Sequence, residues 1–288
     1  MLVTTDFSIE GVHFRREWHP ATSVGHRCLT RGLSDIAAMG GEPIAAFLSL
    51  AVPEDLSQRW VEEFLQGLLK LAREFNVPLA GGDTSESPQG VLADIVIVGS
   101  APKGKAILRS GARLGDRIYV TGELGGSAAV LDLLYSGARK SIKPSDWRGH
   151  LFPQPRIEVG KVLRDKKIAT AMIDISDGLS TDLNHICEES RVGAEVSADA
   201  IPRARVAGRK VDLQVALHGG EAYELLFTAK RSTQVPARIA GVPITCIGKI
   251  VRRKNLRRKN LTLVRADHTR TKLEVHGWQH FQQSSADK

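Results

Sequence analysis

Apolar residues recur at three- and four-residue intervals between positions 55 and 76, where Trp60, Val61, Phe64, Leu65, Leu68, Leu69, Ala72 and Phe75 fall on one face of a helix. Ser57 is placed to cap its start, and Asn76 followed by Pro78 marks its end. A second helix is predicted over 23–39, stopped by Gly40-Gly41. Short apolar runs at 77–80, 91–98, 117–121 and 168–173 read as strands covered on one face by helices, and further helices are predicted at 127–135, 156–164 and 180–190. This order predicts an α/β (α+β) fold. The stretch 101–115 is rich in Gly, Lys and Arg and has no periodicity, so it divides the chain into predicted domains 1–108 and 109–288.

With 42% hydrophobic and 25% charged residues in 288, the composition is that of a water-soluble globular chain. No apolar run approaches the roughly 18 residues of a membrane helix, and the first residues have no basic-then-apolar secretory signal, so a cytoplasmic location is expected. Cys28, Cys187 and Cys246 are odd in number and lack metal-ligand spacing, which predicts buried, reduced thiols. The net charge of +8 comes mostly from a tandem duplication, Arg252-Arg253-Lys254-Asn255-Leu256 followed by Arg257-Arg258-Lys259-Asn260-Leu261. Because no aromatic residue lies within it to stack on bases, a solvated hairpin is favoured over a nucleic-acid patch.

The chemistry is concentrated in four short segments: Thr4-Thr5-Asp6, Leu33-Ser34-Asp35, Gly81-Gly82-Asp83-Thr84 and Asp174-Ile175-Ser176-Asp177-Gly178. Each sets a carboxylate beside small or hydroxyl residues. Mg²⁺ is a hard cation that binds through a few carboxylates together with substrate phosphates, so the set suits magnesium and phosphate. Each segment alone has a plain structural alternative: a helix cap for Asp177 and Gly178, a tight turn for Gly81 to Thr84, an exposed helix carboxylate for Asp35 and a strand end for Asp6. Domain 1–108 holds the first three segments and domain 109–288 the fourth, so a site using all of them would lie between domains.

The weaker signals are mixed. Gly99-Ser100-Ala101-Pro102-Lys103-Gly104-Lys105 has the spacing of a P-loop, but Ala106 stands where a hydroxyl is needed and Pro102 removes an amide, so it reads as a linker. Gly122-Glu123-Leu124-Gly125-Gly126-Ser127 could cradle phosphate at a helix start or simply turn the chain. Arg109 is the candidate phosphate contact. His13 reads as a structural histidine, Glu221 as a cleft residue, and Trp278 as a core anchor or an aromatic platform.

Taken together, Thr-Thr-Asp with Glu-Gly-Val-His-Phe, Leu-Ser-Asp-Ile-Ala-Ala-Met-Gly, Gly-Gly-Asp-Thr, Arg-Ser-Gly-Ala, Tyr-Val-Thr-Gly, Ile-Asp-Ile-Ser-Asp-Gly-Leu and Gly-Gly-Glu-x-Tyr-Glu-Leu occur in an order that resembles the thiamine-monophosphate kinase family, from Thr4 to about Gly248. A weaker echo follows at Gly277-Trp278-x-His280-Phe281. The resemblance implies a two-domain fold like aminoimidazole ribonucleotide synthetase, a homodimer paired through the N-terminal sheets, and ATP-dependent phosphorylation of thiamine monophosphate by direct in-line transfer with several Mg²⁺ ions. It further implies Thr4, Thr5, Asp6, Asp35, Asp83, Asp174 and Asp177 as metal ligands, directly or through water, with the five aspartates catalytic through the metal. Gly82, Asp83, Arg109 and Ser176 would contact ATP, and His13, Glu221 and Trp278 would hold thiamine monophosphate, Trp278 by stacking on a ring.

Three departures from the family pattern stand out. The chain begins after a segment that carries a Gly-Asp-Asp motif in the family, so it reads as N-terminally shortened, by truncation or a late start codon. Ala222 follows Glu221 where the family has Asp, and the basic duplication looks peculiar to this chain. Two alternatives therefore stand beside the kinase: an inactive dimer that binds nucleotide or thiamine phosphate, and another ATP-using enzyme of the same superfamily. A selenide-activating relative would carry an N-terminal reactive Cys, and no Cys precedes Cys28.

Overall fold

The computed structural model describes residues 1–253 and 260–277. In its first part, β1 (Leu2–Ile9), α1 (Ala21–Ala38), β2 (Glu42–Val52), α2 (Gln58–Glu74), β3 (Leu79–Glu86) and β4 (Leu92–Ser100) form a four-stranded sheet with both helices on one face. The strand order is β1-β4-β2-β3; β4 runs antiparallel to its neighbours and β3 parallel to β2. Along β4, Ala93, Ile95 and Ile97 point to the helices while Val96 and Val98 take the other face. The predicted amphipathic helix is α2: the Ser57 side chain accepts from the Trp60 amide at 3.3 Å, and Phe64, Leu68 and Leu71 are buried.

Gly81 to Thr84 were expected to follow a strand, but they lie inside β3, in register with Phe47 to Leu50 of β2. β3 is an edge strand with almost every residue exposed, so it carries no apolar alternation to mark its extent. Gly82 is required by close approach, because a Cβ there would sit 1.8 Å from the Leu48 carbonyl oxygen.

The second part contains β5 (Arg117–Thr121), α3 (Gly126–Tyr135), α4 (Pro144–Leu151), α5 (Ile157–Asp165), β6 (Ala169–Asp174), α6 (Leu179–Glu189) and β7 (Gly193–Ser197). A short hairpin of β8 (Arg205–Val206) and β9 (Arg209–Lys210) precedes α7 (Leu213–His218), β10 (Leu225–Ala229), β11 (Arg238–Ile239), β12 (Val242–Val251), β13 (Leu261–Val264) and β14 (Arg270–Lys272). The mixed sheet has the order β14-β13-β7-β12-β5-β10-β6, with β11 added to β12. α3, α5 and α6 match the predicted helices closely, whereas α4 has no counterpart in the sequence reading.

α1 joins the two parts. Its Leu29, Leu33, Ile36 and Ala37 share one core with Phe64 and Leu68 of α2, Leu163 of α5, and Met172, Leu225 and Phe227 of the second sheet. The α5 contact is tight because Gly160 has no side chain; a Cβ there would lie 2.1 Å from the Ala37 carbonyl oxygen. α1 is thus buried around nearly its whole circumference, and any polar group on it must find a partner in the seam. Cys28 and Cys187 are buried as expected, while Cys246 is exposed; all three are free. Among the described residues no helix is long and apolar enough to cross a membrane. The middle of the basic duplication, 254–259, lies outside the described residues.

Candidate active site at the seam

Strand alternation turns Thr4, Asp6 and Ser8 of β1 toward α1 and leaves Val3, Thr5 and Phe7 on the outer face. On α1, Arg27, Arg31, Ser34 and Asp35 recur at three- and four-residue steps and so share a stripe. The stripe meets β1 and the end of β6. Thr4 Oγ1 donates to Asp35 Oδ2, and Ser34 Oγ donates to Asp174 Oδ2 at 2.6 Å.

This gathers carboxylates where water is scarce. Burial, then the charges of Asp35 and Asp6, push Asp174 up to about 7, against the pull of the Ser34 hydrogen bond. Asp6 rises to about 6 through burial, with Arg31 opposing and Asp35, Asp177 and Asp94 adding to the rise. Asp35 is raised by burial, against the Thr4 hydrogen bond and the Arg109 charge. Arg109 also acts on Asp174. Behind them Asp182 accepts from the Asp177 and Gly178 amides at 3.2 and 3.0 Å, and burial, Asp174 and Asp177 raise it well above the usual carboxylate range. A patch of oxygen donors so short of positive charge fits a hard divalent cation such as Mg²⁺.

A few ångströms away the charge is balanced. Arg27 Nη2 and Arg31 Nη2 both donate to Glu221 Oε1, at 2.5 and 2.7 Å, and Arg31 Nη1 lies 3.8 Å from Asp6 Oδ1. Burial raises the Glu221 carboxyl, but the two guanidiniums outweigh it and hold the group at about 2. The Glu221 backbone has φ of 60° and its amide donates to the Ser176 carbonyl at 2.7 Å, which ties this loop to the Asp174–Asp177 turn. His13 Nδ1 accepts from the Ile9 amide at 3.0 Å, and the His13 side chain shares a small pocket with Glu221.

Two larger cavities open here. One of about 410 Å³ is lined by Thr4, Asp35, Leu108, Arg109 and Met172. The other, about 670 Å³, has Glu221, Glu224, Arg156 and Ser127 in its walls.

The seam thus gathers Thr4, Asp6, Asp35, Asp174 and Asp177, with Arg109, Ser176, His13 and Glu221 around them. It does not gather Asp83 and Gly82. These lie on β3, across three strand spacings from β1, or roughly 14 Å, and Asp83 is exposed in register with Ser49. Thr5 also faces away and donates to Asp94 Oδ1 at 2.6 Å. Trp278 lies outside the described residues. Sequence reasoning missed Arg27, Arg31, Asp94 and Asp182. The one available signal was a pair of arginines four residues apart in a helix that mixes apolar residues with Thr, Ser, His and Asp, which reads as an exposed polar face unless the second sheet is known.

The fold is that of a two-domain enzyme superfamily. Residues 1–101 match the family described as AIR synthase related protein, N-terminal domain, and residues 113–259 match its C-terminal domain. Within it, the thiamine-monophosphate kinase of Salmonella typhimurium is 41% identical over 87% of this chain and 78% of its own length. The solved structure of AaThiL complexed with AMPPCP and TMP is 33% identical, with a TM-score of 0.84 over 97% of this chain and 86% of that one. The crystal structure of thiamine-monophosphate kinase from Stenotrophomonas maltophilia K279a is 35% identical, with a TM-score of 0.81 over 91% and 84%. The chain belongs to the thiamine-monophosphate kinase family.

Proposed function

We propose that this chain transfers the terminal phosphoryl group of ATP to thiamine monophosphate, giving thiamine diphosphate. The observation that carries the reading is the buried, undercompensated acid patch of Asp6, Asp35 and Asp174 beside Arg109 and Glu221. Two anionic substrates cannot approach such a patch alone. Asp6, Asp35, Asp174 and Asp177, with the Thr4 hydroxyl, would hold Mg²⁺, which supplies the positive charge that draws both phosphates together.

The protein's own groups do the rest. Arg109 meets the phosphates of ATP next to Asp35 and Asp174, with Ser176 on the adjoining turn. Glu221, fixed by Arg27 and Arg31, orients thiamine monophosphate together with His13; a role for Trp278 rests on the family resemblance alone. Phosphoryl transfer asks chiefly for positioning and charge neutralisation, and this arrangement offers both.

The active form in this reading is a homodimer in the cytoplasm, with residues 1–108 supplying the pairing surface. The open face of the first sheet exposes Val3 (63%), Phe7 (50%), Ile44 (51%) and Phe47 (38%), an apolar patch that a second copy would cover. Thr5 lies on that face and Gly82 and Asp83 on its edge strand, so pairing would place them at or beside the subunit interface.

The test is incubation with Mg-ATP and thiamine monophosphate, with thiamine diphosphate followed by chromatography, alongside sedimentation of the chain. Product formation by a dimer is expected, and its loss on chelation. Tight thiamine monophosphate binding without product would instead indicate the inactive binding dimer.

A further inference from the structure

The cavity of about 670 Å³ has one wall that the proposed chemistry leaves unused. Ser127 stands in the first turn of α3, just after Gly125 in the left-handed conformation (φ 82°), and is 7% exposed. Its Oγ lies 2.9 Å from His150 Nδ1; His150 Nε2 lies 3.1 Å from His19 Nε2; His19 Nδ1 lies 3.1 Å from the Arg15 carbonyl oxygen and 3.3 Å from the Arg15 amide. Both histidines are buried, at 1% and 2% exposed.

The chain of hydrogen bonds is tied to the site already described. The His150 carbonyl accepts from Arg27 Nη1 at 2.5 Å, and the other terminal nitrogen of that guanidinium holds Glu221 at the same distance. Ser127 and Glu221 thus face one cavity from a shared arginine.

Burial pushes His19 down to about 4 and His150 to about 3, so both rings are neutral near pH 7. A neutral imidazole has one donor and one acceptor, so the chain can run in two directions. In the first, Ser127 donates to His150, His150 to His19, and His19 to the Arg15 carbonyl; Ser127 then offers lone pairs to the cavity. In the second, the Arg15 amide donates to His19, His19 to His150, and His150 to Ser127; the Ser127 hydroxyl proton is then free for a ligand. Ser127 can therefore match an acceptor or a donor without exposing a charge.

We propose that Ser127, backed by His150 and His19, is a specificity-determining residue for the ring end of the phosphorylated cosubstrate, an aminopyrimidine whose amine and ring nitrogens alternate donor and acceptor. This rests on the kinase reading above. The other cavity walls agree with a heterocycle more than with a phosphate, since Glu123, Asp146, Glu221 and Glu224 face Arg148, Arg156 and Arg205 and leave no excess of positive charge. A site built to hydrogen-bond its ligand rejects an analogue that lacks the group.

The test compares the wild type with Ser127→Ala and Ser127→Thr. Calorimetry measures the Kd of thiamine monophosphate and of its analogue with hydrogen in place of the pyrimidine amine, which offers Ser127 neither donor nor acceptor there, and steady-state kinetics separates KM from kcat. In Ser127→Ala, Kd and KM for thiamine monophosphate should rise about tenfold. The preference for thiamine monophosphate over the analogue lacking the amine should shrink, and kcat and the KM for ATP should stay within about threefold. Ser127→Thr keeps the hydroxyl and should recover part of the loss. Unchanged Kd and preference in a folded Ser127→Ala protein would overturn the proposal, as would an equal rise in the KM for ATP. If the wild type binds thiamine monophosphate without turning it over, the kinase reading fails while the Kd comparison still decides the role of Ser127; no binding by the wild type overturns both.

Discussion

Two acidic regions share the seam and behave oppositely. Asp6 and Asp174 are raised to about 6 and 7, whereas Glu221, equally close to α1, is held at about 2. All three are buried or partly so, and burial alone would raise each of them. What separates them is where the compensating charge comes from. Glu221 receives two guanidiniums from the protein itself, while the aspartates face one another with Arg31 and Arg109 at their margin. In the proposed reading, the carboxylate balanced internally serves as a fixed recognition element, and the set left unbalanced takes a cation and what the cation brings.

The sharpest way to break this contrast is to remove a member of the unbalanced set. Asp174→Asn should lower turnover by at least about a thousandfold, yet melt no lower than the wild type in metal-free buffer, because it relieves repulsion that the native state bears. Chromatographic assay and calorimetric melting check the two halves. In the balanced region the order inverts. Arg31→Met takes from Glu221 one of its two guanidiniums and from Asp6 its neighbouring positive charge, and should cost about 3–5 kcal/mol of stability, read by urea denaturation. Loss of folding without metal in Asp174→Asn, or a neutral Arg31→Met, would erase the distinction.

Acid titration of the metal-free chain sharpens it further. Asp6 and Asp174 bind protons more tightly when folded, so their contribution is greatest below the unfolded carboxylate range and is lost as pH rises through about 6 and 7. Glu221 binds its proton less tightly when folded, so its contribution is present above the unfolded range and is lost as pH falls from about 4.5 toward 2. Buried His19 and His150 act in the opposite sense over the same range, so the readout is the difference from Asp174→Asn, in which they cancel: without metal, the wild type should lose melting temperature relative to that variant as pH rises through about 7. Mg²⁺ should restore more at pH 8 than at pH 5.5. The smallest expected effect is that of Thr4→Val, which removes the hydroxyl donated to Asp35 and should weaken Mg²⁺ binding several-fold.

The same contrast explains what the sequence could and could not disclose. The Asp174-Ile175-Ser176-Asp177 turn was legible because its carboxylates and hydroxyl sit close in sequence. The helix at Gln58–Glu74 was legible because one of its faces is wet, so its apolar spacing stands out. α1 is buried by both sheets, and its Arg27 and Arg31 gain meaning only from Glu221, nearly two hundred residues away. Asp83 was legible as a motif but not as a position. Nothing in Gly-Gly-Asp-Thr indicates an edge strand on the far side of the sheet from Asp6.

The central claim, that the seam carboxylates hold protons until a cation displaces them, has a direct measurement. Mg²⁺ would be titrated into the chain with a non-hydrolysable ATP analogue at pH 6.5, in buffers of different ionisation enthalpy, so that protons released on binding are counted. The account predicts release of on the order of one proton per chain, abolished in Asp174→Asn. Binding with no proton release in the wild type would contradict it.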